Sequence, residues 1–169
     1  MYAKKHLKTN GNVKIYYDWE WSKAPLQYDT IDVIGFVWNG TNNSGQPLNV
    51  RIDSGSNVSY HKIGYENNIL GSRTETSALT VDDFYHSAYA KFSLGYRYED
   101  MIEFGKWGSG YISLNASGTD AIKEVAMKIS YGHSYITLTS PSVSFHPLTL
   151  GISFSRGVET MATVNSIYY

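Results

Sequence analysis

The chain has no cysteine among its 169 residues. That excludes disulfide bridges, thiolate zinc sites and thiol nucleophiles. A stray thiol is a liability in an exported protein, so its absence fits export without requiring it. An excess of either charge is missing as well: 14 Lys and Arg stand against 15 Asp and Glu, a net charge of −1. A surface that binds nucleic acid displaces counterions with a basic excess, so nucleic acid is excluded as the main partner. The charged fraction of 17% is low against a usual value of about 25%. No apolar run approaches the roughly 18 residues of a transmembrane helix. No leader pattern opens the chain, and the expectation is a mature form placed outside the cell or at its surface, with a cytosolic protein as the alternative.

Chemical signatures are scarce too. No G-x-S-x-G, P-loop or dinucleotide-binding fingerprint is present. The histidines His6, His61, His86, His133 and His146 show no metal-ligand spacing with a nearby carboxylate. No metal site, cofactor or catalytic residue is therefore expected. Asp82, Asp83 and His86 come nearest to a cluster. A capping box at Thr80–Asp83, opening one short helical turn over 80–86, explains them more simply. Asp18 with Glu20, and Glu99 with Glu103, are carboxylate pairs of the kind a glycosidase uses. A solvated strand face accounts for both, which leaves a small hydrolase as the third reading of function.

Aromatic residues and glycine are abundant: 15 Tyr, 6 Phe, 4 Trp and 15 Gly. Aromatics favour strands, and glycines favour turns and bulges. The strongest pattern runs from His86 to Tyr98. Ala88, Ala90, Phe92, Leu94, Tyr96 and Tyr98 share one side, and Tyr89, Lys91, Ser93 and Arg97 the other. A period of two means an extended strand with one buried face. Val13, Ile15, Tyr17, Trp19 and Trp21 alternate in the same way with Lys14, Tyr16, Asp18 and Glu20. Ile31 to Trp38 is apolar on both sides after Asp32 and reads as a central strand. The turn at Asn39–Gly45 joins it to a strand at Val50–Ile52, as a hairpin. Further strands are read at 58–65, 111–115, 148–154 and 163–169, with residues 121–131 fitting strand or helix. Gly132-His133 reads as a hairpin turn leading into a strand over 134–139, and Gly105–Gly110 as a Gly/Trp loop. Residues 1–11, with Lys4, Lys5, His6 and Lys8, read as a frayed basic end.

These signals predict a single all-β domain over residues 1–169. The expected architecture is an antiparallel β-sandwich or jelly roll of about eight to ten strands, with at most one or two short helical turns. The expected core includes Ile31, Val33, Phe36, Val37, Phe92, Leu94, Ile129, Leu150 and Ile152. Tyr and Trp combine a flat apolar face with a polar tip, which suits surfaces that meet partners, sugar rings among them. The expectation is an exported binding or surface-interaction module in preference to an enzyme. Its ligand contacts are read at Trp107, Tyr111, Trp19 and Trp21, with a glycan or other cell-surface component as partner. The Ser/Thr-rich alternation from Tyr135 to Ser155 supports the alternative, a membrane-active, pore-forming protein whose amphipathic hairpins meet lipid.

Overall fold

A computed structural model describes residues 1–9, 11–26, 29–55, 57–69, 71–136 and 141–168. In chain order the strands are β1 (Tyr2–Thr9), β2 (Asn12–Glu20), β3 (Ile31–Asn42), β4 (Pro47–Leu48), β5 (Val50–Ile52), β6 (Tyr60–Asn67), β7 (Gly71–Ala78) and β8 (Thr80–Asp83). They continue with β9 (Ser87–Ser93), β10 (Gly95–Tyr98), β11 (Met101–Ala116), β12 (Ile122–Ser134), β13 (Val143–His146), β14 (Gly151–Phe154) and β15 (Val158–Tyr168). The only helical element among the described residues is a 3-10 turn at Pro147–Thr149. The fold is an all-β sandwich, as the alternating pattern predicts.

Two antiparallel sheets face each other. The first has the order β1-β2-β11-β6-β7, with β10 and β5 completing the two ends of β11. The second has the order β15-β12-β3-β9-β8, with β4 added to β3. Side chains from the inner faces interdigitate between them. Val13, Ile15, Tyr17, Ile112 and Leu114 of the first sheet meet Ile34, Phe36, Trp38, Met127 and Ile129 of the second, and all are buried.

The two-sided apolar pattern of β3 has its cause in a third layer. Ile34, Phe36 and Trp38 face the sandwich, and Asp32 shares their side. Val33, Gly35 and Val37 face outward and are buried as well. The β13–β14 hairpin covers them. A Cβ on Gly35 would lie 3.2 Å from the Phe145 ring and 3.3 Å from Val143 and Ile152. A glycine there lets the hairpin settle close to the sheet.

Several local readings are corrected. The segment 80–86 is not helical. Thr80 and Val81 pair with Tyr89 and Ala88 as β8, and Asp83 instead holds a turn through Tyr85 N at 2.8 Å and His86 Nδ1 at 2.9 Å. The alternating stretch 86–98 is two strands in different sheets: β9 pairs with β3, and β10 pairs with β11. Leu94, fully buried, sits at the crossing. Val50–Ile52 pairs with β11 and not with β3, whose short hairpin partner is β4. Of residues 121–131, all from Ile122 on are strand, and β12 continues through Gly132 and His133 without turning. The strand read over 134–139 lies partly outside the described residues. Leu148 and Leu150 belong to no strand. Pro147 forces the 3-10 turn, and Leu150 takes the left-handed conformation with φ 49°. Ile31, Leu150 and Ile152 are half-buried, not core, because they sit at a strand start or in the covering hairpin; the other six expected core residues are buried. The polar stretch 67–77 contributes β7, an edge strand. Residues 2–9, read as a frayed end, form β1, paired with β2 along its length.

Candidate functional site

The segment Gly105–Gly110 is the centre of the longest strand and not a loop. Alternation along β11 therefore decides where each ring goes. Gly108, Gly110, Ile112 and Leu114 point inward. Trp107, Ser109, Tyr111 and Ser113 point to the outer face of the first sheet. Opposite them on β2 stand Glu20, Asp18, Tyr16 and Lys14, and on β6 stand Gly64, Lys62 and Tyr60.

The outer face thus carries a transverse row of three tyrosines on adjacent strands. Tyr16 meets Tyr111 edge-to-face at 5.3 Å, and Tyr60 meets Tyr111 at 5.7 Å. Trp107 lies four residues along the same strand from Tyr111, about 13 Å at the usual strand rise. Its indole rests on Gly64, where a Cβ would come within 2.0 Å of the ring. Glycine on one strand and an aromatic across from it make a close cross-strand pair. Trp107, Tyr111, Tyr16 and Tyr60 are all half-buried, and Tyr2 at the margin is 55% exposed.

Polar groups frame the rings. Lys14 Nζ stands 4.4 Å from the Tyr111 ring centre, and Lys62 Nζ 5.9 Å from that of Trp107. A shallow depression of about 490 Å³ runs between Tyr2, Tyr16, Asp18, Glu20, Trp107 and Ser109. Partial burial raises the Tyr16 phenol above its ordinary pKa, with the Asp18 carboxylate adding to the effect. Partial burial, and then Tyr111, raise that of Tyr60. Both phenols keep their proton at neutral pH and remain hydrogen-bond donors.

Trp19 and Trp21 do not join this row. Trp19 is buried at 6% exposure on the inner face. Its indole fits beneath Gly108, where a Cβ would meet it at 2.4 Å. Its ring packs on Phe92 at 5.6 Å and on Tyr131 at 4.8 Å. Trp21 follows β2 on the same side, half-buried, and its Nε1 donates to the Tyr131 hydroxyl at 3.2 Å. Both belong to an interior aromatic column that ends in a polar cluster. There Asp32, fully buried, accepts hydrogen bonds from Tyr131 Oη at 2.5 Å, His133 Nδ1 at 3.0 Å and Ser134 N at 3.1 Å. The hydroxyls beside this pair are committed. Thr30 donates to Asp32 at 3.3 Å, and Ser134 Oγ to the Ile31 carbonyl. This arrangement ties the start of β3 to the end of β12.

Tyr16 and Tyr60 are the members of this row that the sequence reading did not single out. Tyr16 was visible as the one aromatic on the polar side of β2. Tyr60 could be placed only once the β6–β11 register was known. Among the described residues no group of three His, Cys, Asp or Glu could hold a metal ion. No protein-family model matches the chain, and a search of curated proteins finds none significantly similar to it.

Proposed function

We propose that the protein is an exported glycan-binding module whose binding face is the outer surface of the first sheet. The observation that carries this reading is the row Tyr16–Tyr111–Tyr60 with Trp107 beside it on a solvent-facing sheet surface. On the second sheet, the outward apolar side chains of the central strand β3 are covered by a hairpin. On the first, the outward aromatics remain half open and are flanked by Lys14, Lys62, Asp18 and Ser109. Flat rings beside hydrogen-bonding side chains match the two kinds of surface on a pyranose, its C–H faces and its hydroxyl rim. The near absence of net charge fits a neutral saccharide better than a polyanion.

The test is a binding screen against insoluble polysaccharides and a glycan array, run beside a dye-release assay on liposomes. Retention on a polysaccharide, weakened by Trp107→Ala and without dye release, supports the reading. Dye release with oligomers on the vesicles, and no glycan retained, replaces it with the membrane-active alternative.

A further inference from the structure

A second, separate cavity opens sideways between the sheets, where β7 of the first faces β9 of the second. Its walls include His61, Glu75, Ser77, Lys91, Phe92 and Ser93, and its volume is about 410 Å³. The side is open because β8 pairs only with Ser87–Tyr89 of β9 and stops short of Lys91–Ser93.

His61 is 1% exposed, and its hydrogen bonds fix its protonation. Tyr17 Oη lies 3.0 Å from the Tyr60 carbonyl oxygen and 3.0 Å from His61 Nδ1. The phenol donates its proton to the Tyr60 carbonyl, which can only accept. The phenol oxygen must then accept from His61, which places the imidazole proton on Nδ1. Burial holds the pKa of this imidazole down to about 3, so the ring is neutral at pH 7. Its Nε2 is then a bare acceptor, and it is buried with no hydrogen-bond partner. The Tyr17 and His61 rings are parallel to within 2° and joined edge to edge. Nδ1 is thus turned toward Tyr17 of β2, and His61 also lines the cleft between β7 and β9. Buried polar atoms are rarely left unpaired, and such an atom beside an open cavity marks a place for a donor.

We infer that this cleft binds a small neutral polyol of monosaccharide size, which donates one hydroxyl to His61 Nε2. The volume falls in the range of roughly 300–1,000 Å³ usual for small-ligand sites. The Phe92 ring, 4.8 Å from that of His61, offers an apolar wall for C–H groups. Ser93 Oγ spends its proton on the Gly95 carbonyl at 3.0 Å, so its oxygen accepts. Ser77 adds a hydroxyl. Glu75 and Lys91 are of opposite sign, so the mouth attracts no ion of one charge. An ammonium donor would bury an uncompensated cation against a neutral imidazole. The cleft and the outer aromatic row lie on different surfaces, and neither assignment needs the other.

The test is long-range proton–nitrogen NMR of His61 in the full chain, titrated with D-glucose, D-galactose and glycerol. The free protein should show the Nδ1–H tautomer with Nε2 unprotonated. At least one probe should move the Nε2 resonance saturably. Ser77→Trp, which fills the mouth from an exposed edge strand, should weaken that response by about tenfold or more. Trp107→Ala should leave it unchanged. The inference is overturned by the Nε2–H tautomer, by the absence of a saturable response to all of these probes, or by a response that Ser77→Trp does not alter. A resident water satisfying Nε2 would give the second of these results.

Discussion

Trp107 and Trp19 stand almost opposite one another on neighbouring strands, yet one faces solvent and the other is enclosed. Strand parity decides the difference, and two glycines make it possible. Gly64 lets Trp107 lie close on the outer face, and Gly108 lets Trp19 lie close on the inner one. Adding a methyl group at each should have unlike consequences. Gly64→Ala pushes the indole outward into solvent, where it has room, so stability should fall by about 1 kcal/mol or less. Glycan affinity should fall with the displaced ring. Gly108→Ala strikes a ring that has nowhere to go, and overpacking of that kind costs about 1–3 kcal/mol. Urea titrations of the two variants check the contrast, and equal losses would show that the rings do not occupy opposite faces. His61 supplies a second residue-scale prediction. The unfolded imidazole titrates near 6.5, and the folded one is held down to about 3. Below the unfolded value, the unfolded chain takes up a proton that the folded chain refuses. The contribution is complete above pH 6.5 and is lost as pH falls toward 3, with a limiting slope of about 1.4 kcal/mol per pH unit. His61→Phe should flatten the fall in stability between pH 6.5 and 4. An unchanged slope would assign the acid sensitivity to other groups.

The elements show what an alternating pattern reveals and what it hides. The apolar inner faces of β2 and β12 were legible because period two survives along a single strand. The crossing at Leu94 was not. The chain passes from one sheet to the other there without a break in the alternation, and no glycine or proline precedes it. The two-sided apolar character of β3 was legible, but its cover was not. The covering hairpin is two four-residue strands joined through Pro147, too short to register as a layer. That layer is testable. Phe145→Ser with Ile152→Ser should loosen the hairpin and expose Val33, Gly35 and Val37. Stability should fall by about 1–3 kcal/mol, as expected for half-buried apolar side chains. Amide exchange should accelerate in 143–154 and on the outer side of β3, and a hydrophobic dye should bind. Unchanged exchange in β3 would show that the hairpin only rests on the sheet.

At the scale of the whole molecule, the chain folds as two facing sheets, with a hairpin over the centre of one outer surface and none of the described strands over the aromatic row of the other, and the candidate site rests on that difference. The sequence singled out Trp107 and Tyr111 through a glycine-rich spacing that resembles a loop, and that segment is the middle of β11. In a strand the same glycines are slots for rings from the neighbouring strands. Trp19 and Trp21 were drawn into the candidate site by residue type alone. Composition cannot separate an aromatic that fills a core from one that lines a face, whereas register can. The most direct measurement of the proposed function is a calorimetric titration with the glycan found by screening, comparing Trp107→Ala, Tyr111→Ala and Tyr98→Ala. Tyr98 is 64% exposed on β10 and serves as the control. The account predicts that the first two variants lose about 1–3 kcal/mol of binding free energy while remaining folded, and that Tyr98→Ala binds as the unaltered protein does. Undiminished affinity in folded Trp107→Ala and Tyr111→Ala proteins would contradict it.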